Sequence, residues 1–297
     1  MRTDHLEHTP ECFASHMGAW AIEPRWMREA VSAVRSGTWR AQVAPRSSEG
    51  EERRYQLLDG GVALVHLAGG LQKSRSKFGG TSTVAVRRAL RQAAADDAVK
   101  SVLMLVDSPG GAVAGTHELD QDVRAVAARK PVHAHVEDLC ASAALWAVSG
   151  ASKITANLPA QIGSIGVYAV LWDESEAMEM AGVKVHVVST GGLKGAGTPG
   201  TEISEELLED VQRDVDEFNT FFQQALASGR GLTPEQLKAV SDGRTFSAEN
   251  AVRLGLIDAV ASTDEVVAAL TQPTRMTGVQ AARAMEIEDL TRDDMSQ

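Results

Sequence analysis

The stretch that decides the architecture is Ser101-Val102-Leu103-Met104-Leu105-Val106-Asp107-Ser108-Pro109-Gly110-Gly111. Residues 101–106 form a nearly continuous apolar run closed by turn-forming residues. That is the pattern of a strand buried on both faces, as in a parallel sheet. The run passes through Pro-Gly-Gly into a predicted helix over 112–128. Upstream, Val62–Leu67 is a second strand broken at Gly69-Gly70, and residues 82–95 form a helix with Val84, Val86 and Leu90 on its apolar side. Downstream, strands are expected at 132–136, 154–156, 165–171, 183–189 and 256–258. Helices are expected at 141–148, 175–181, 202–228, 234–240 and 248–254. Strands alternating with helices imply right-handed crossovers and an α/β fold with a largely parallel sheet.

The 297 residues carry a net charge of −11, with 43% apolar, 23% charged and 4% aromatic side chains. Such a chain can bury a core. Its acidity argues against a nucleic-acid surface, and its few aromatics argue against a single-strand stacking platform. Two cysteines, Cys12 and Cys140, cannot build a disulfide framework, and a reduced intracellular protein is expected. No apolar run approaches membrane-spanning length, and the first residues have no secretory apolar core. Near the N-terminus, Pro24 opens a short predicted helix, and residues 41–56 are polar and read as a linker or extended arm.

Three segments could carry chemistry. Asp107–Gly111 leads a strand into a helix and leaves backbone N–H groups that could hold an oxyanion, although a plain turn has the same sequence. Ser142 opens the small-residue helix Ala141-Ser142-Ala143-Ala144, where a serine is an N-cap as readily as a nucleophile. Lys194 lies in the glycine-rich loop 191–200. A lysine acts as a general base only where lost hydration eases its deprotonation, and a loop lysine is ordinarily a solvated charge. A phosphate loop is excluded because Lys194 stands between Leu193 and Gly195. A Ser–His pairing has little support. His186 is the only histidine after Ser142 and falls within a predicted strand, and His133 and His135 share one strand face. His5, His8, Cys12 and His16 would align on a helix as a metal site, but Pro10 interrupts it.

Taken in order, these segments resemble the signal peptide peptidase A family of serine peptidases, which has the ClpP/crotonase-like fold. The resemblance rests on Asp107–Gly111, Ala141-Ser142-Ala143, Gly163-Ser164-Ile165-Gly166-Val167, Ser189–Lys194 and Asp242-Gly243-Arg244-Thr245-Phe246, with Ala251 and Gly255–Asp258. It runs from about Val62 to Val260. It implies repeated ββα units, with Ser142 as nucleophile, Lys194 as general base and Ser164 orienting Lys194. Gly110 and Gly111 would form the oxyanion hole, and Ala143 and Ala144 would line the substrate pocket. The family usually has Gly-Gly where this chain has Ala143-Ala144. No metal or organic cofactor is implied. The resemblance divides the chain into an arm and linker (1–56), a peptidase domain (57–262) and a C-terminal helix with a mobile tail (263–297).

The soluble composition and the Trp-containing N-terminal segment, with Ala21-Ile22-Glu23-Pro24, look most like the tailed-phage head maturation branch. That branch implies cleavage of scaffold, capsid or portal proteins in a host cytoplasm or prohead. It also implies a homo-oligomeric ring in which neighbouring protomers complete each active site, with no nucleic-acid or membrane partner. A soluble bacterial peptide-degrading enzyme and a catalytically silent scaffold of the same fold are the competing readings.

Overall fold

A computed structural model describes residues 19–35, 42–43, 53–74 and 79–272. In chain order the strands are β1 Trp20–Ile22, β2 Gln42–Val43, β3 Gln56–Leu58, β4 Val62–Ala68, β5 Leu71–Gln72, β6 Gly79–Ser82, β7 Ser101–Ser108, β8 Gly110–Ala112, β9 Val132–Ala141, β10 Lys153–Ala156, β11 Gln161–Gly163, β12 Thr245–Ser247 and β13 Ala259–Val260. The helices are α1 Pro24–Arg35, α2 Thr83–Ala95, α3 Thr116–Ala127, α4 Ala143–Val148, α5 Ser175–Met180, α6 Glu205–Arg230, α7 Pro234–Val240, α8 Ala248–Arg253 and α9 Thr263–Thr271.

The main sheet runs β12-β11-β9-β7-β4-β3. Its heart is parallel, with β4 on β7 and β7 on β9. The first half of β9 then pairs with β10 and its last residues with β11. Residues 102–106 of β7 are buried throughout, as their apolar run requires. At the ends of β4 and β7 the chain turns into short strands of a second sheet, ordered β1-β8-β5-β6-β2, before entering α2 and α3. Strand, short strand, helix is thus repeated, and the fold is the expected α/β arrangement of ββα units.

Side-chain chemistry sets the helices. Ser82 accepts a hydrogen bond from the Ala85 amide and starts α2. Ser204 does the same for α6 at Leu207, and Glu205 and Glu206 suit its positive end. Every side chain of α4 is buried. Trp146 stacks on Phe222 of α6 with ring centroids 5.2 Å apart. Burying side chains of this size contributes roughly 1.5–3 kcal/mol each. No described helix is long and apolar enough to cross a membrane.

Several expected elements differ. The helix expected from 112 starts at Thr116, because Gly110–Ala112 extend into β8 and left-handed Gly115 turns the chain. The strand expected at 132–136 continues to Ala141. No strand forms over 165–171, where Ser164 and Gly166 have positive φ and Tyr168 makes only a single bridge to Trp20. Residues 183–189 alternate apolar side chains but have no strand partner among the described residues, and Val188 is 97% exposed. His186 is therefore not in a strand. The last strand is Ala259–Val260 rather than 256–258. The helix expected after Pro24 is α1, and the C-terminal helix is α9. The four residues His5, His8, Cys12 and His16, residues 41 and 44–52 of the linker 41–56, and the tail from 273 lie outside the described residues.

Two polar features inside the fold yield predictions. Asp120 of α3 is almost fully buried and receives Arg124 Nε at 2.8 Å and the Ser149 hydroxyl at 3.2 Å. Arg124 also donates to the Ala225 carbonyl at 2.8 Å, so the cluster joins α3, α4 and α6. Asp120→Ala should destabilise the chain by about 3 kcal/mol in urea unfolding, because it strands a partly buried guanidinium; a loss near zero would mean the pair is idle. His133 and His135 both hydrogen-bond Thr155 Oγ1 at 2.8 Å. Burial, then Lys153 and His135, push the His133 imidazole down from 6.5 to about 4, and burial lowers His135 too. Between those pH values the unfolded chain binds protons that the folded chain refuses, so stability rises with pH through that window and is complete above it. Thermal melting temperatures should fall as pH drops from about 6.5 towards 4, and His133→Gln should flatten that fall.

Candidate active site

Ser142 sits where β9 ends and α4 begins. Its backbone is held at φ 54° and ψ −119°. Among the described residues only Ser142 and Ser164 are non-glycine residues with positive φ. Each such conformation costs on the order of 1–3 kcal/mol and persists only where the surroundings fix it. At Ser142 they do. Its amide donates to the Gly163 carbonyl at 2.7 Å, and its own carbonyl accepts from the Trp146 amide at 3.0 Å. The hydroxyl points to the Gly166 carbonyl at 3.4 Å, a long contact that leaves it weakly held.

Gly110 and Gly111 lie beside this serine. Gly110 has φ 93°, and a Cβ there would fall 2.3 Å from the Ala21 carbonyl oxygen and 2.8 Å from both the Ala141 oxygen and the Ala143 nitrogen. Only glycine fits between these backbones. The Gly110 amide donates to Ser108 Oγ at 3.2 Å, and Ser108 donates to the Gly69 carbonyl at 2.7 Å. Gly111 lies between Ala21 of β1 and Leu71 of β5. The Ala143 amide, at the first position of α4, has no acceptor within its own helix. Sequence reasoning gave Ala143 only a side-chain role and missed Ser108, although Ser108 directly precedes Pro-Gly-Gly. The Ala143 and Ala144 side chains are fully buried.

Ser164 is close in the fold. It follows Gly163, which pairs with Ala141 in the β9–β11 ladder, and its amide donates to the Arg244 carbonyl at 2.7 Å. Lys194 is elsewhere. It is exposed on a loop whose neighbours pack on Val187, Ile203 and Leu207. No hydrogen bond or ion pair links it to Ser142 or Ser164 in the described chain. Cys140 is wholly buried, which pushes its thiol far up and leaves it inert beside Ser142. Among the described residues no cluster of three or more His, Cys, Asp or Glu side chains could hold a metal ion.

The chain is 33% identical over 177 residues to a provisionally named protease of Methanocaldococcus jannaschii, covering 60% of this chain and 57% of that one. It is 28% identical to capsid assembly protease C of Escherichia phage lambda, covering 73% of this chain and 50% of the relative. It is also 28% identical to the head-tail preconnector protein GP5 of Enterobacteria phage P21, covering 70% and 40%. The chain thus spans about half the length of these relatives. The model of peptidase family S49 matches residues 124–277, a span that includes Ser142, Ser164 and Lys194. With more than half of its length matched, the chain belongs to peptidase family S49.

Proposed function

We propose that the chain is a serine endopeptidase in which Ser142 attacks the scissile carbonyl. The observation that carries this reading is the strained backbone of Ser142, set on a strand-to-helix turn against Gly110 and the first amide of α4. Such a turn presents a hydroxyl while backbone amides stand ready for the developing oxyanion. The donors are sought at Ala143, at Gly111, and at Gly110 when its amide exchanges Ser108 Oγ for the oxyanion, with Ala143 and Ala144 bounding the pocket for the substrate residue next to the cut. Lys194 takes the serine proton and later returns it to the leaving amine, and Ser164 orients it.

Within one chain, Lys194 is exposed and makes no bond to Ser142. It belongs to a stretch, 165–204, that bares Trp172, Met180, Val183, Val187 and Val188. Exposed apolar surface of this kind marks an interaction face. A neighbouring copy that covers this stretch would bring Lys194 to a serine, and the resulting assembly is a ring. The likeness to the capsid assembly protease of phage lambda supports substrates among capsid, scaffold or portal proteins, in a host cytoplasm or within a prohead. On this reading residues 57–262 are the peptidase domain.

Ser142→Ala should lower cleavage of denatured protein by a factor on the order of 10⁶ while leaving thermal unfolding intact, and unchanged proteolysis would overturn the assignment. Lys194→Ala should be as inactive. Mixing the Ser142→Ala and Lys194→Ala proteins tests the shared site. If neighbours complete one another, about one site in four regains both groups and activity returns, because head-to-tail contacts pair unlike copies. Persistent inactivity of the mixture, with both variants assembled, would place both groups in one chain.

A further inference from the structure

Ser142 has only 1% of its surface exposed, and Gly110, Gly111, Ala143 and Ser164 are buried around it. A polypeptide cannot reach a serine in that state. One strand of the chain lies across the glycines beside it. Trp20, Ala21 and Ile22 of β1 run antiparallel to β8, with Ala21 opposite Gly111 and Ile22 opposite Gly110. Backbone hydrogen bonds bracket the ladder, from the Glu23 amide to the Pro109 carbonyl at 2.7 Å and from the Val113 amide to the Ala19 carbonyl at 3.1 Å. On the other side of β1, Trp20 and Tyr168 exchange both backbone bonds, at 2.8 and 2.9 Å. Tyr168 lies two residues past Gly166, whose carbonyl accepts the Ser142 hydroxyl. β1 is therefore threaded between the two backbone segments that flank the serine, and its Ala21 carbonyl presses on Gly110.

An extended polypeptide held by strand addition would need these same backbone groups. β1 is also slight. It has three residues, and Pro24, without an N–H, ends it and begins α1. Beyond the ladder, its fastening includes the Glu23 carboxylate on the Trp26 amide at 2.8 Å, Arg25 on Thr245 Oγ1 at 3.2 Å, and the Trp26 ring against Gly70. The three side chains of β1 are buried, so its release must be driven by what replaces it, and the strand that replaces it must make the same backbone bonds.

We propose that residues 19–23 are an intramolecular blocking strand. They hold the edge of β8 that a protein substrate must occupy, and the site works only after they leave. This rests on the peptidase reading above. The test locks the strand in the full-length chain. Trp20 and Tyr168 form a hydrogen-bonded antiparallel pair, whose Cα spacing of about 5.5 Å suits a disulfide. Trp20→Cys and Tyr168→Cys are combined with Cys12→Ser, so that Cys12 cannot exchange with the designed pair. The reduced protein should cleave denatured casein about tenfold faster than the oxidised protein, as expected if locking removes most of the open population. Equal, measurable rates of Ser142-dependent cleavage in the two forms overturn the blocking strand. The same pair in a Ser142→Ala chain gives a readout that needs no catalysis. A fluorescent unfolded casein peptide should bind the reduced form and not the oxidised form by polarisation. Equal binding in both forms, or none in either, overturns the proposal. Redox-gated binding without any Ser142-dependent cleavage upholds the blocking strand and overturns the peptidase reading alone.

Discussion

The close meeting of backbones at Gly110 is the constraint on which the site depends. The end of β9, the start of α4 and the carbonyl of Ala21 all converge on the space a side chain would fill. Gly111 is equally confined, since a Cβ there would fall 2.0 Å from the Leu71 carbonyl oxygen. These contacts let the second sheet pass directly under the end of the main sheet. They also over-determine the backbone around Ser142, which is how a strained serine can be kept in place. Ser108 completes the arrangement. Fully buried, it ties the Gly69 carbonyl to the Gly110 amide at the point where the β7–β9 register shifts.

The sheet was legible where burial alone decides the sequence. Residues 102–106 and 132–136 must be apolar or internally bonded because both faces are covered, and the runs read accordingly. His133 and His135 fit among them only because Thr155 satisfies both rings. The misread segments are those where a partner, rather than a pattern, decides. Val183–Val187 alternates apolar and polar residues, yet alternation describes one strand and says nothing of an edge to receive it. The helix expected over 112–128 begins later because Gly110-Gly111, which look like a turn, and Ala112 are recruited into a sheet by β1 and β5.

The candidate site was legible in the same uneven way. Ser142, Ser164 and the two glycines are neighbours because adjacent strand ends carry them, and strand ends are what a motif such as Asp-Ser-Pro-Gly-Gly marks. Chain spacing could not place Lys194, because the intervening 165–204 leaves the sheet and returns only through α6. Nor could the sequence show that β1 pairs with Gly110 and Gly111 beside the serine. Trp20–Ile22 looks like any short apolar run, and its meaning lies in the strand it pairs with.

Two features of the single chain, a buried Ser142 and an exposed Lys194 with no bond to it, meet in the segment that holds Tyr168. This residue holds β1 by its backbone and also begins the stretch that carries Lys194. A neighbour that took up the exposed face of 165–204 would act on the segment whose first anchor is the Trp20–Tyr168 bridge. Loss of that bridge removes one of the two edges that grip β1, leaving the short ladder on β8 and the contacts of Glu23, Arg25 and Trp26. Delivery of the base and release of the blocking strand would then draw on one displacement rather than two. Such coupling needs no long pathway through the core, only a bridge of two backbone hydrogen bonds that cannot hold when either side moves. If Lys194 is the base, as proposed, an isolated chain would be closed and would lack that base for a single reason: the segment that supplies the base also secures the blocking strand.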